Sequence, residues 1–306
     1  MQRIHIIAIG STVMANLAIA ISKKNSYLVT GSDTEISESA LLPLKENKLM
    51  PDQNGWFTDK IHKGLFAVIT GTGITEDNPE YKRAKEIGLR IFSYPEFLYL
   101  QTRSKTRIVV SGSSGRSAII AMILYVLQKQ KIDTDYAIEC QQPGIGNCVR
   151  LTYDARVAVL DGDENFASPF DLRPKFHIYK PHIAVITGIK WNHNDIFPTA
   201  EIYAEQYNKF IELMEIQGRL IYFNGDEYLC EIATKLRRDI VTFDYNTPEH
   251  EIKEGIIYLN TKKGSIPLKI SGEHNLQNMN AARLACKQVG VTDDQFYNSI
   301  VDFDML

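Results

Sequence analysis

RIVVSGSSGRSAIIAMILYVLQ, residues Arg107 to Gln128, decides the architecture of this chain. Ile108, Val109 and Val110 are β-branched and apolar, as at the end of a buried strand. Ser111 to Ser114 are small, and from Ala118 to Leu127 apolar residues recur at helical spacing. The stretch therefore predicts a strand, a Gly/Ser turn and a helix leaving that turn. Such a turn directs backbone N–H groups toward a helix N-terminus, where the macrodipole is positive, and together they make an anion site suited to phosphate. The strict phosphate-loop pattern is absent, because Val110 stands where its first glycine belongs and Arg116 where its lysine belongs. What remains is G-x-x-G-R-S, from Gly112 to Ser117. Ser117 keeps a hydroxyl for Mg²⁺ and Arg116 a charge for phosphate, although a planar guanidinium does not replace a compact ammonium in a tight cradle. An ordinary strand-to-helix turn satisfies the same pattern.

Downstream, Ala155 to Leu160 reads as a strand that ends in Asp161-Gly162-Asp163-Glu164. Carboxylates just past a strand's C-terminal end lie on the face where open α/β sheets bind ligands, in reach of a Mg²⁺ beside a phosphate; a solvated acidic turn is the plainer alternative. Ile183 to Thr187 is a further strand, running through Gly188 into Trp191-Asn192-His193, and it carries His193 to the same edge. A structural histidine is the plainer alternative there. Ala200 to Met214 is patterned as an amphipathic helix, and Gly218 to Phe223 and Val241 to Asp244 as strands. Ile256 to Leu259 and Ile266 to Ile270 read as an antiparallel pair turned at Lys262-Lys263-Gly264. The polar turn Ser271-Gly272-Glu273-His274-Asn275 then leads into a helix from Leu276 to Gln288, on which Asn278 shares a face with His274 or Asn275.

Upstream, Ile4 to Ile9 predicts a buried parallel strand, Gly10-Ser11-Thr12 a turn, Val13 to Ser22 a helix and Tyr27 to Thr30 the next strand, closing on Gly31-Ser32-Asp33. An acidic residue about twenty positions after the turn matches a ribose-binding carboxylate, but only Gly10 of the three expected glycines is present. A plain dinucleotide oxidoreductase needs the glycines this turn lacks. Ala67 to Thr70 is a strand ending in Gly71-Thr72-Gly73; Asn78-Pro79-Glu80 starts a helix, and Leu89 to Phe92 is another strand. The polar stretch from Gln101 to Lys105 places a domain boundary near residue 104. The fold class is α/β: two Rossmann-like or P-loop-like domains with mainly parallel sheets flanked by helices, residues 1–104 and 105–306.

The 306 residues suit about two domains. A net charge of −3, from 34 basic and 37 acidic residues with no basic tract, favours neither nucleic acid nor an anionic membrane as partner. The apolar run from Ile4 to Ile21 is broken by His5, Gly10-Ser11-Thr12 and Asn16, so it reads as strand, turn and helix rather than as a signal peptide or an inserted segment. The four cysteines show no C-x-x-C pair and no ligand spacing with histidine, which predicts reduced, buried thiols in a cytoplasmic protein. With no long exposed apolar stripe, a monomer is expected.

In order, strand/GSSGRS, strand/DGDE, strand/WNHNDIF and GEHNLQNMNAA resemble the Mur ligases, ATP-dependent amide ligases of peptidoglycan precursors. The resemblance spans the chain. HIIAIGSTVMANLA and VTGSD are similar to that family's uridine-nucleotide domain, and KFHIYKPHIAVITGIKWNHNDIFPT is more similar to its murein-recycling, peptide-adding branch than to its L-alanine-adding branch. The resemblance implies that ATP phosphorylates a UDP-N-acetylmuramate carboxylate, an amine of a cell-wall peptide or amino acid attacks the acyl phosphate, and an amide, ADP and phosphate result. By position it implies ATP phosphates at Gly112, Ser113, Ser114, Gly115, Arg116 and Ser117, and Mg²⁺ at Ser117, Glu164 and His193. Arg116, Glu164 and His193 would be catalytic, His274, Asn275 and Asn278 would lie near the adenosine, and Gly10, Ser11, Thr12, Ser32, Asp33 and Thr72 would line the UDP end of the substrate.

The departures from that pattern are Arg116 for the loop lysine, Ala118 for its second threonine, Asn165 after the D-E pair, Lys190 in the E-x-D-H run and Asn192 for the aspartate before the histidine. Each weakens phosphate or metal binding, since an amide does not restore the charge of a lost carboxylate. The chain stops at Leu306, about where the family's third domain begins, so the resemblance implies that this domain is absent and that the chain alone does not turn over. A catalytically silent nucleotide or UDP-sugar binder is the competing reading.

Overall fold

The computed structural model describes residues 1–138, 147–191 and 196–304. The sequence Pro143 to Gly146, whose proline and glycines predict a loop, lies outside them. The chain is α/β as expected, and it divides into two compact units. The first comprises Met1–Arg103, Asp135–Tyr153 and Asn165–Ile178, and the second Ser104–Thr134, Asp154–Glu164 and Tyr179–Leu306.

In the first unit four parallel strands lie in the order Tyr27–Ser32, Gln2–Ile7, Ala67–Thr70, Ile91–Ser93. Near-continuous apolar runs suit strands covered on both faces, and Ile7 and Val68 pack with Ile61, Leu65, Ile74, Tyr81 and Ala84 into one core cluster. The exception in this core is polar. His5 is fully buried, with Nδ1 2.9 Å from Thr30 Oγ1 and Nε2 3.1 Å from Ser32 Oγ and 3.2 Å from Glu80 Oε2. Glu80 uses its other oxygen to accept the Phe57 N–H at 2.7 Å, so the buried carboxylate is satisfied on both sides. The later segments join this unit through specific contacts: Asn16 Oδ1 accepts the Cys148 N–H at 3.1 Å, and Phe170 stacks on Tyr81 with ring centroids 4.4 Å apart. Cys148 is disulfide-bonded, contrary to the expectation that every thiol is reduced, while Cys230 and Cys286 are free.

In the second unit the parallel strands run Val241–Tyr245, Arg219–Phe223, Ile183–Ile186, Thr106–Ser111, Val157–Asp161. Ile108, Val109 and Val110 are fully buried, as their composition requires. Arg107 is also fully buried. Its guanidinium donates to the Tyr179 carbonyl at 2.8 Å, to the Lys180 carbonyl at 2.9 Å and to Glu215, while its backbone N–H donates to His182 Nδ1 at 3.2 Å. Carbonyl oxygens and one carboxylate thus solvate the charge that burial strips of water.

The expected antiparallel pair forms with Ile257 opposite Leu268 and Thr261 opposite Gly264, and His250–Lys253 adds a third strand beside it. One boundary moves. The helix expected from Leu276 begins at Glu273, because Gly272 adopts φ +83° and serves as its N-cap, so His274 and Asn275 lie in the first turn. Among the described residues no helix is long and apolar enough to cross a membrane.

Candidate nucleotide and UDP-substrate sites

The turn after Thr106–Ser111 is built by two left-handed glycines, Gly112 at φ +125° and Gly115 at φ +80°. Neither admits a side chain. A Cβ on Gly112 would run into the Thr187 hydroxyl, and one on Gly115 into the Asn278 amide. Gly115 caps the helix Arg116–Lys129 without any side-chain hydrogen bond, and no acid lies in its first turn. Its positive end is therefore uncompensated by protein groups of its own. The loop Thr187 to Lys190 folds onto the turn: the Gly188 carbonyl accepts the Ser113 N–H at 3.0 Å and Ser113 Oγ accepts the Lys190 N–H at 3.2 Å. Two buried polar atoms flanking this turn, Thr187 Oγ1 and Asn278 Nδ2, have no hydrogen-bond partner among the described residues. Buried polar groups are normally paired, so a donor and a hydroxyl left open beside two glycines fit a ligand rich in acceptor oxygens. A nucleotide's phosphates are such a ligand.

The metal half of the expectation meets a different arrangement. Arg116 donates from Nε to Asp161 at 3.1 Å and from Nη1 to Glu164 at 3.0 Å and to the Gly112 carbonyl at 2.9 Å. Burial works against its charge, but the Asp161 and Glu164 carboxylates outweigh burial and hold the guanidinium above its ordinary pKa. Glu164, expected on Mg²⁺, is thus spent on Arg116. Among the described residues no group of three His, Cys, Asp or Glu side chains is arranged to hold a metal ion. Ser117 is exposed in the helix's first turn, and Ser114 is exposed in the loop. His193 and Asn192 lie outside the described residues. The residues in place fit phosphate; they do not, as they stand, fit Mg²⁺.

On the adenosine side the three expected residues separate. Asn278 is buried against Gly115, next to the phosphate turn; Asn275 donates to the Ser271 carbonyl at 2.9 Å, and His274 is exposed. Sequence reasoning missed Thr187, whose only signal is its place at a strand's C-terminal end, and Tyr203 and Tyr207. The tyrosine hydroxyls are 2.9 Å apart, and burial, first of all, raises both pKa values, that of Tyr207 well above the ordinary range. Their i, i+4 spacing was the available signal.

In the first unit a cavity of about 430 Å³ is lined by Gly10, Ser11, Asp33 and Thr72, with Ser37 and Trp56 among its other walls. Four of the six residues expected at the UDP end are thereby brought together. Asp33 Oδ2 accepts the Gly10 N–H at 2.8 Å, and a Cβ on Gly10 would strike the Glu35 carbonyl, so the first turn depends on this glycine. Thr12 is bonded to Ser39 at 2.6 Å and is not among the lining residues, and Ser32 is fully buried in the His5–Glu80 network, which takes its hydroxyl out of reach of a ligand.

The Mur ligase middle domain matches residues 110–286, and the catalytic domain of the Mur ligase family matches residues 3–106. This chain belongs to the Mur ligase family. The UDP-N-acetylmuramate–L-alanine ligase of Carboxydothermus hydrogenoformans is 26% identical over 315 residues, 99% of this chain and 66% of that relative. The UDP-N-acetylmuramate–L-alanyl-gamma-D-glutamyl-meso-2,6-diaminoheptandioate ligase of Haemophilus influenzae is 24% identical over 314 residues, 99% of this chain and 68% of the relative. This Mur ligase chain thus spans about two thirds of the length of the curated relatives it matches. The fold is that of the UDP-N-acetylmuramate:L-alanyl-gamma-D-glutamyl-meso-diaminopimelate ligase from Neisseria meningitidis, with a TM-score of 0.86 at 20% identity, covering 100% of this chain and 99% of that one. A UDP-N-acetylmuramate-alanine ligase from Thermotoga maritima superposes with a TM-score of 0.73 at 19% identity over 99% of this chain and 69% of that one.

Proposed function

We propose that this chain supplies the substrate-binding and nucleotide-binding domains of an ATP-dependent amide ligase that joins a peptide to UDP-N-acetylmuramate in peptidoglycan recycling. Residues 1–104 would hold the UDP end and residues 105–306 the ATP. The observation that carries the nucleotide half is a pair of buried atoms without a partner among the described residues, Thr187 Oγ1 and Asn278 Nδ2, beside a glycine turn at a helix N-terminus that no side chain caps. Phosphate oxygens would satisfy both, and the N-terminal dipole would favour their charge.

Positioning and charge neutralisation are most of what a protein contributes to phosphoryl transfer. Here Gly112 and Gly115 let the backbone approach the phosphates, Ser113 holds the Gly188 loop against the turn, and Asp33 with Gly10 shapes the pocket for the uridine nucleotide. Mg²⁺, which the resemblance implies, is not accommodated by the Asp161 and Glu164 carboxylates while both are paired with Arg116. It would reach Glu164 only after Arg116 released that carboxylate.

A second reading, addition of L-alanine instead of a peptide, is supported by relatives of that name at 26–29% identity. A third, a binder without turnover, is supported by the ion pairs that hold Arg116. Calorimetric titration of the chain with ATP, and separately with UDP-N-acetylmuramate, tests the proposal. Micromolar binding of both ligands is expected. Absence of heat with ATP and with the UDP ligand would defeat all three readings and leave a shared fold.

A further inference from the structure

Asp161, Asp163 and Glu164 follow one strand end, and two of the three carboxylates share one cation. Arg116 is 18% exposed at its side chain, Asp161 6% and Glu164 25%, so the cluster is largely withdrawn from water. Asp163 is 6% exposed as well. Like charges withdrawn from water repel more strongly than in it, and a cation among them relieves that repulsion. In this chain the cation is covalently part of the protein.

We infer that Arg116 is the resident counter-ion of this carboxylate cluster, occupying by its guanidinium the place a divalent cation would otherwise take, so that the nucleotide-free chain excludes such a cation. The geometry carries the point. The fork of Arg116 spans Asp161 with Nε and Glu164 with Nη1, and the Gly112 carbonyl accepts from that same Nη1, so the side chain is fixed at three places. A Mg²⁺ or Mn²⁺ needs several oxygen ligands at about 2 Å in near-octahedral arrangement. It cannot gather Asp161 and Glu164 while a guanidinium lies between them. Lysine in the same position would bring one compact ammonium, unable to fork across two carboxylates. The identity of residue 116 therefore sets how the cluster answers to a divalent cation.

The inference does not depend on which substrate the chain ligates, and its test leaves nucleotide out. Mn²⁺ is titrated by electron paramagnetic resonance into the purified chain, into Arg116→Ser and into Arg116→Ser with Glu164→Gln. Wild type is expected to bind weakly, Arg116→Ser at least about tenfold tighter, and the double variant to fall back toward wild type, as a site made of carboxylates requires. Equal Mn²⁺ affinity in wild type and Arg116→Ser would overturn the inference, and so would tight binding that survives Glu164→Gln. If near-ultraviolet circular dichroism shows Arg116→Ser to be unfolded, Arg116→Lys takes its place, with a gain of about threefold expected from a cation that holds only one carboxylate. No gain over wild type in Arg116→Lys would then overturn it.

Discussion

The side-chain amide of Asn278 lies so close to Gly115 that a single methyl group on that glycine would overlap it. Gly115→Ala therefore meets two penalties, the left-handed backbone at φ +80° and the collision. Strain of the first kind costs about 1–2 kcal/mol. Chemical denaturation of the variant should show a loss of at least that size, with weakened ATP binding. Adding Asn278→Ala should recover the collision share of the stability loss but not the backbone share. Full recovery would mean that the backbone conformation is not a constraint.

Thr187→Val exchanges a buried hydroxyl that has no partner among the described residues for a methyl of nearly the same shape. An unsatisfied buried polar group costs about 1–3 kcal/mol, so the ligand-free variant should be as stable as wild type or more so. Its affinity for ATP should drop by about ten- to a hundredfold, the worth of one hydrogen bond to a charged acceptor. Lower stability together with unchanged affinity would show that the hydroxyl serves packing and not a ligand.

His182 gives a pH dependence with a definite sign. Burial, and then the neighbouring Arg107 charge, lower its pKa below the ordinary value, against a smaller opposing pull from Glu215. The neutral ring is also the form that accepts the Arg107 N–H at Nδ1. The folded state therefore binds the proton less readily than the unfolded one, and stability increases with pH across the window between the two values. Its contribution is complete above the ordinary value near 6.5 and is lost as pH falls from there through the lowered folded value. Melting curves between pH 7.5 and about 5 should fall more steeply for wild type than for His182→Gln. Parallel curves would assign the acid sensitivity to other groups.

Of the two tryptophans, Trp56 lines the first-unit cavity, whereas Trp191 donates its indole N–H to the Phe197 carbonyl at 2.8 Å. Filling the cavity with a UDP ligand should change the emission of Trp56. That change should persist in Trp191→Phe and vanish in Trp56→Phe. The opposite pattern would place the ligand elsewhere.

Much of the fold was legible because parallel strands buried on both faces announce themselves as short β-branched runs. Ile108 to Val110 and Ile183 to Ile186 are of this kind, and each ends in a small residue or glycine. The segments that rejoin the first unit were not legible. Asn16 reaching Cys148 and Tyr81 stacking on Phe170 are contacts between residues far apart in sequence, and no local pattern encodes them. At the candidate sites, glycine position showed where a turn had to form, so Gly10, Gly112 and Gly115 were found. Side-chain allegiance was invisible. Nothing in the sequence says that Arg116 turns to Asp161 and Glu164, or that Ser32 turns inward to His5.

That inward turn ties three distant positions into one unit of substitution. His5, Ser32 and Glu80 sit on two strands and a helix, yet changing any one takes a buried hydrogen-bond partner from both of the others. Related chains that lose the histidine should therefore lose the serine and the glutamate with it, in favour of apolar residues of matching volume. A chain retaining only one of the three would carry a scar in its first domain, visible as lowered expression and not as altered chemistry.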